Sequence, residues 1–408
     1  MVFDPDRVIG DFDELQEITG GVSRLAWSES WQRVCGWLAV KARAAGAGLE
    51  VDRAANQWFT LGGSGAKALV IGGHLDSAPN EGLFEGCLSL LAGLEVLRRV
   101  ASNGRPRVSV KLVNWADSEG TRFGRPLFGS SAAAGAMRDW YVAADLRDAE
   151  GASLLETLNG FGVDLKLVGL ARRHLADVGA YLELGVGPGS EPVLPGSPLV
   201  VVASTPGVER CRITWRVRPV DAGSPPIPES PDPLQAAARF ALELREISAG
   251  HGAELATARI AHRSGSAGTA LETVDQMMEL RHVDLVSLEH MLGLGIDASE
   301  QIATEQGLTA EWARIWRVEP ARFDPGLAGL AREVVHGLTG ASAASPSPAV
   351  YDATEVSRSG IPAVVITAPA LAGVTAGTAR CRREEVELAV SALDAIASRV
   401  CEQLGSGA

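Results

Sequence analysis

The chain has 408 residues, which is long enough for two domains of ordinary size. Its 46% hydrophobic and 21% charged residues are typical of a globular protein and exclude disordered and fibrous classes. Its 37 basic and 50 acidic side chains give a net charge of −13, and such a surface repels phosphate backbones and anionic lipids. We therefore expect no nucleic-acid partner and no membrane partner. Scattered cysteines without a CxxC pair, and an N-terminus unlike a secretion signal, favour a cytoplasmic location.

The first half of the chain alternates short apolar strands with helices. In chain order the predicted elements are a strand at 68–71, a helix through Leu90–Leu97, and strands at 108–112, 180–184 and 199–202. This alternation predicts an α/β domain with a mostly parallel sheet. Ligand sites in such sheets lie where strands end and loops begin.

From residue 207 the pattern changes to apolar positions that alternate with arginines, which is typical of an antiparallel strand with one buried face. The predicted elements are a strand at 210–218, a helix to Ile247, strands at 255–261 and 274–281, a helix capped by Asp284, and a strand at 311–318. The order βαββαβ predicts an inserted ferredoxin-like domain at 207–320, between two parts of the α/β domain at 1–206 and 321–408. The last part contains a predicted strand at 363–367 and an amphipathic C-terminal helix, with 340–348 as a loop and 405–408 as a frayed tail.

One histidine and several carboxylates follow the predicted strands. His74 lies two residues before Asp76 at the end of a strand, a spacing that suits a metal ligand held by a second carboxylate. Glu85 lies near the start of the next helix, and Glu119 follows the next strand. The residues alone leave two interpretations open, a metal or acid/base site at this edge of the sheet, and a strand cap with solvated acids.

Several motifs resemble those of the zinc-dependent amidohydrolases that include allantoate amidohydrolase, N-carbamoyl-L-amino-acid hydrolase and β-ureidopropionase. They are, in order along the chain, Gly20–Trp27, His74–Asn80, Glu119–Gly124 and Phe128–Ser130. The resemblance covers almost the whole chain. It implies an α/β catalytic domain with an inserted lid that mediates dimerisation.

The resemblance also implies a set of catalytic positions, of which this sequence keeps only some. His74 and Glu119 match the family's first histidine and its glutamate ligand, and Glu85 stands where the bridging aspartate belongs. Other positions carry different residues: Gly185 and Tyr351 replace two histidine ligands, Ser118 the general base, Asp221 a lid histidine and Gly268 an asparagine. Arg281 matches the lid arginine that binds the substrate carboxylate.

These replacements lead to a prediction of chemistry without the usual metal pair, because a catalytic zinc normally takes three protein ligands. We predict no cofactor and acid/base catalysis on a small carboxylate-bearing substrate, with amide, imine or ring-forming C–N chemistry. The predicted catalytic residues are His74, Glu85, Glu119, Tyr351 and Asp221, and the predicted substrate-binding residues are Arg281, Ser118 and Asp352.

Two alternatives stay open from the sequence. One is a non-catalytic ligand-binding or regulatory protein. The other is a C–N hydrolase with a single zinc or manganese ion on His74, Glu85 and Glu119. A homodimer through the lid is predicted in either case.

Overall fold

A computed structural model describes residues 3–21, 23–78, 86–137, 144, 146–187, 198–218, 231–262, 272–369 and 383–406. The chain divides into two compact units, one of Met1–Thr205 with Ala321–Ala408 and one of Pro206–Pro320. Within the described ranges, no helix has the length and hydropathy that crossing a membrane requires.

Strands and helices alternate through much of the described chain. The strands are β1 (Gly48–Val51), β2 (Gln57–Leu61), β3 (Ala68–His74), β4 (Ser109–Trp115), β5 (Val178–Gly187), β6 (Val200–Thr205), β7 (Gly207–Val217), β8 (Glu254–His262), β9 (Thr273–His282), β10 (Leu308–Val318), β11 (Ala321–Arg322), β12 (Ala343–Pro346) and β13 (Ala363–Pro369). The helices are α1 (Pro5–Thr19), α2 (Glu29–Ala44), α3 (Cys87–Ser102), α4 (Phe128–Ala134), α5 (Leu154–Gly160), α6 (Pro233–Gly250), α7 (Leu285–Glu305), α8 (Pro325–Thr339), α9 (Asp352–Arg358) and α10 (Arg383–Ser406), with a 3₁₀ helix at Val168–Leu175.

The sheet of the first unit runs in the order β1-β2-β4-β3-β5-β13-β6-β11, and β12 also pairs with β6. Its central strands β4, β3, β5 and β13 are parallel, whereas β1, β2, β6 and β11 pair antiparallel with their neighbours on this path. Every residue of β3 is buried, as expected of a strand covered on both faces. The prediction of an α/β fold with a mostly parallel sheet is confirmed.

The register of β3 and β5 places the later site residues on one face. Gly72 pairs with Glu183, and residues two apart in a strand share a face, so His74, Glu183 and Gly185 lie on the same side of the sheet. Helix α9 packs against β5 and β3. On the other face, Gly93 of α3 lies against Ile71.

The second unit has an antiparallel sheet in the order β10-β7-β9-β8, with the chain order βαββαβ. Helices α6 and α7 cover one face, where Trp215, Phe240, Met278 and Leu288 form part of the core. Asp284 caps α7 by accepting a hydrogen bond from the Ser287 backbone N–H, as its sequence position predicts.

At two places the structure forms a regular element where the sequence predicts a loop or a tail. Residues 343–346, predicted as part of a loop, form β12, a short strand parallel to β6. Its sequence, Ala-Ala-Ser-Pro, has no β-branched residue, so the pairing partner rather than local propensity determines the strand. Helix α10 continues to Ser406, two residues into the expected tail.

Candidate active site

His74 is the last residue of β3 and is held from one side by Asp76. Its Nδ1 lies 3.0 Å from the Asp76 backbone oxygen and 3.4 Å from Asp76 Oδ1. Its Nε2 lies 3.7 Å from Glu119 Oε1, and the Glu119 backbone N–H donates to Asp76 Oδ2 at 2.8 Å. One ring nitrogen therefore faces a fixed supporting group and the other faces a carboxylate, the usual arrangement of a metal-ligating histidine.

The end of β3 packs closely against the start of α3. Gly86 precedes α3 with φ 64° and ψ −52°, a backbone conformation that favours glycine. A Cβ atom there would overlap Cε1 and Nε2 of His74, so only a glycine lets the chain pass this close to the imidazole.

Ser118 and Asp352 are 234 residues apart in the sequence and in direct contact in the structure. Ser118 Oγ donates to Asp352 Oδ2 at 2.6 Å, and the hydroxyl of Ser130 donates to Asp352 Oδ1. All three side chains are buried. Burial raises the pKa of Asp352, an effect that the two hydroxyl groups oppose. The sequence predicts that Ser118 and Asp352 bind substrate, and the structure places them together beside Glu119.

Tyr351 and Gly185, which align with two histidines in the related family, are in contact with each other. A Cβ atom at Gly185 would lie 2.9 Å from Tyr351 Cε1, closer than ordinary packing allows. The Tyr351 hydroxyl lies 3.1 Å from Ser347 Oγ. The phenol ring therefore fills the space that a side chain at position 185 would need.

A buried hydrogen-bond chain reaches the same face of the sheet. Trp115 Nε1 donates to the Tyr181 hydroxyl, which donates to Glu183 Oε2, both at 2.9 Å. The Ala353 backbone N–H also donates to Glu183 Oε2, at 2.8 Å. Burial, with the charge of Asp352, raises the pKa of Glu183 to about 8.

Asp117 lies in a tight turn between β4 and the Ser118–Glu119 pair. It is a non-glycine residue with φ 54°, and its Oδ2 accepts a hydrogen bond of 2.7 Å from Trp27 Nε1. Burial, with the charge of Asp76, raises the pKa of Asp117 to about 7. Burial by itself lowers the pKa of His74, but Asp76 and Glu119 outweigh it and hold that pKa well above its usual value. The site thus has one histidine among many carboxylates.

The remaining positions singled out from the sequence lie in the second unit or outside the described residues. Arg281 lies on β9 of the second unit, where its Nε donates to Glu279 Oε1 at 2.6 Å. Glu279 is buried and also binds Arg210. Glu85, Asp221 and Gly268 lie outside the described residues.

Sequence reasoning missed four residues of the site: Trp27, Asp117, Ser130 and Glu183. Trp27 and Ser130 lie within motifs that indicate the family, but their partners are far away in the sequence. Glu183 becomes a site residue through the pairing of β5 with β3, which no local pattern reveals.

Comparison with known proteins identifies the class of protein. Residues 70–399 match Peptidase family M20/M25/M40, so the chain belongs to this family of hydrolases, and the resemblance inferred from its motifs is confirmed. It is 29% identical over 306 residues to an N-carbamoyl-L-amino acid amidohydrolase of Geobacillus stearothermophilus, covering 74% of each chain. It is 26% identical over 365 residues to an allantoate amidohydrolase of Bacillus subtilis, covering 87% of each chain.

Solved structures agree on the fold. A hydantoinase/carbamoylase family amidase from Burkholderia vietnamiensis superposes with a TM-score of 0.85 at 24% identity, covering 98% of each chain. A Bacillus subtilis protein described as a dinuclear metal binding peptidase from the M20 family superposes with a TM-score of 0.62 at 14% identity, covering 98% of each chain.

These findings correct one prediction from the sequence. The expectation of no cofactor is wrong, because the chain belongs to a family in which a dinuclear metal-binding peptidase is known. The error came from counting ligands at aligned positions without the electrostatics of the folded site. The charges of Asp76, Glu119 and Asp352 act on His74, and a bound cation would balance them.

The described residues fit a cation only in part. His74 Nε2 and Glu119 are suitable donors for zinc or manganese, with Asp76 orienting the imidazole. Asp76 Oδ1 is buried and has no hydrogen-bond partner among the described residues. In the ranges that the structure covers, no three His, Cys, Asp or Glu side chains are grouped closely enough to hold a metal. A complete shell would thus need a further ligand.

Proposed function

We propose that the protein hydrolyses a C–N bond in a small carboxylate-bearing carbamoyl or ureido compound, with the help of one divalent cation. The observation that carries this proposal is the geometry of His74, whose Nδ1 is supported by Asp76 while Nε2 faces Glu119 at 3.7 Å. The similarity to N-carbamoyl-L-amino acid and allantoate amidohydrolases supports the substrate class.

His74 and Glu119 are the proposed cation ligands, and Asp76 is the residue that orients His74. Zinc or manganese bound there would polarise the carbonyl group of the scissile bond as a Lewis acid. Glu85, which directly precedes Gly86 in the sequence, remains the predicted third ligand.

The packing of Tyr351 favours a single cation over a pair. Of the two positions that carry further histidine ligands in the related family, Gly185 has no side chain and the ring of Tyr351 lies against it. A phenol with its usual pKa of about 10 is a poor ligand at neutral pH. We therefore propose one cation per chain.

Arg281 is proposed to bind the substrate carboxylate, since guanidinium groups pair well with carboxylates. Its Nε–H is already donated to Glu279, an interaction that orients the guanidinium group. We also propose that the protein forms a homodimer through residues 207–320.

The test is a turnover assay on zinc- or manganese-loaded protein with a panel of N-carbamoyl-L-amino acids and allantoate. We expect hydrolysis of at least one compound, loss of activity with a chelator, and recovery when the metal is returned. His74→Ala should abolish turnover, whereas His336→Ala, at an exposed histidine of α8, should not. Turnover that survives chelation would contradict the proposed role of the cation. Binding of a compound without its hydrolysis would favour the non-catalytic, ligand-binding alternative.

A further inference from the structure

We propose that a cavity at the opposite end of the parallel strands binds a small organic acid with an apolar body, either a carboxylate or a phosphate monoester. The cavity has a volume of about 490 Å³ and lies between the end of α3, the loop 103–107 and the end of α10. Ligand pockets in proteins usually have volumes of about 300–1,000 Å³, so an organic molecule of ordinary size fits. This site goes beyond the proposed function, which concerns His74 at the other end of β3.

The strand register separates the cavity from the candidate active site. Strands β3 and β4 are parallel, with Ala68 paired to Ser109 and His74 paired to Trp115. The cavity is lined by Val108, which directly precedes β4, whereas His74 is the last residue of β3. Six residues of strand span about 20 Å, so a small ligand in the cavity would not contact His74.

Two arginines that line the cavity lack acidic partners. Arg105 and Arg107 are exposed, and neither forms an ion pair with any residue that the structure describes. Arg105 donates one long hydrogen bond, of 3.5 Å, to the Gly63 backbone oxygen. Guanidinium groups bind carboxylates and phosphates through paired hydrogen bonds, so these two side chains favour an anionic ligand.

The other charged residues of the lining leave this preference in place. Arg99 donates to Asp394 at 2.5 Å and to Ser398 Oγ at 2.8 Å, so its charge is balanced and its guanidinium group is held in position. Among the described lining residues, Glu402 is the one acidic side chain, and it is exposed. Two unpaired basic groups and one acidic group give the cavity a positive charge, on a chain whose net charge is −13.

The apolar part of the lining indicates that the ligand has an organic body. Val100, Val108, Val110 and Cys401 all line the cavity. Burial raises the pKa of the Cys401 thiol to about 11, so at neutral pH it is uncharged and acts as a small apolar group. An aliphatic or aromatic body would cover these side chains and remove apolar surface from water, which an inorganic anion would not do.

The experiment is isothermal titration calorimetry on zinc-loaded, full-length protein with phenylacetate and with phenyl phosphate. We expect saturable binding of at least one of them, and the tighter of the two shows whether the site prefers a carboxylate or a phosphate. Phenylacetamide has the same body as phenylacetate without its charge, and acetate has the charge without the body. Each of these two controls should bind at least about 10-fold more weakly, since a hydrogen bond to a charged group and the burial of an aromatic ring are each worth that much.

Variants locate the bound compound. Arg105→Ala and Arg107→Ala should each weaken binding by about 10- to 100-fold, the loss expected for a hydrogen bond to a charged group. Both side chains are exposed, so we expect both variants to fold, and thermal melts check this. Arg43→Ala removes an exposed arginine of α2 that does not line the cavity, and it should leave binding unchanged.

Three results would overturn the proposal: no saturable binding of either compound, binding of phenylacetamide as tight as that of phenylacetate, or unchanged binding in both Arg105→Ala and Arg107→Ala. Titration of Arg281→Ala separates this site from the proposed substrate site. Binding that is lost in Arg281→Ala and kept in the two cavity variants would place the compound at the substrate site and refute the cavity alone.

Discussion

Gly86→Ala is expected to weaken metal binding at His74, although residue 86 itself provides no metal ligand. A Cβ atom at residue 86 would lie 2.6 Å from His74 Nδ1 and closer still to Cε1 and Nε2. Carbon contacts are ordinarily about 3.5–4.0 Å, so the imidazole must shift by about 1 Å or more. A shift of that size loosens the alignment of His74 with Asp76 and Glu119. Disturbing such supporting geometry typically costs about 10- to 100-fold in metal affinity.

Gly20→Ala provides the control. Gly20 also has a positive φ of 64°, but no atom lies within 4 Å of the Cβ position. An L-residue in left-handed backbone costs about 1–2 kcal/mol, so both variants should lose stability in urea titrations. Only Gly86→Ala should lose zinc affinity, measured by equilibrium dialysis with graded zinc. Equal zinc affinity in the two variants would refute the assignment of His74 as a ligand.

In metal-free protein, the free energy of unfolding should fall as the pH rises from about 5 to 8. Burial raises the pKa of Glu183 to about 8 and that of Asp117 to about 7, so the folded state binds protons that the unfolded state releases. Glu183→Gln should flatten that slope in urea titrations at several pH values. Gly185→Ala should lower the free energy of unfolding by about 1–3 kcal/mol, since its Cβ would lie 2.9 Å from Tyr351 Cε1. Arg281→Ala should raise KM by about 10- to 100-fold with kcat nearly unchanged, because a hydrogen bond to a charged group is worth about 1.5–3 kcal/mol; steady-state kinetics checks this.

Matched variants separate these effects from general damage. Gly187→Ala on the same strand should be nearly neutral, since the nearest atom would lie 3.5 Å away, and equal losses at 185 and 187 would contradict the packing argument. Arg216→Ala removes an exposed arginine of the same unit and should leave KM unchanged. If the free energy of unfolding of Glu183→Gln depends on pH as in the wild type, another titrating group is responsible for that dependence.

The fold could be predicted from the sequence where hydrophobicity is strong and local. The apolar run at 68–71 marks β3, and the alternation of apolar and arginine residues marks β7 with one buried face. Residues 343–346 carry no such signal, because pairing with β6 alone makes them a strand. Local pattern therefore predicts elements well where burial, and not a neighbouring strand, determines them.

Only the site residues that lie within short sequence motifs could be predicted. His74, Asp76 and Glu119 stand at recognisable strand ends, and the structure brings them together. The contact of Ser118 with Asp352 joins distant parts of the chain and has no local signature. The fit of Tyr351 against Gly185 likewise depends on the position of α9 over β5, which sequence spacing does not encode.

The cofactor prediction was wrong for a related reason. Ligand positions can be counted in a sequence, but the charge balance of a buried site depends on which side chains converge. The charges of Asp76, Glu119 and Asp352 raise the pKa of His74, and the same charges would favour a bound cation.

Whether His74 and Glu119 hold one cation can be decided by the metal content of protein loaded with excess zinc and then desalted, measured by elemental analysis. We predict about one zinc per chain in the wild type and almost none in His74→Ala. Two zinc ions per chain in the wild type, or one retained after His74→Ala, would contradict a single cation held by His74 and Glu119.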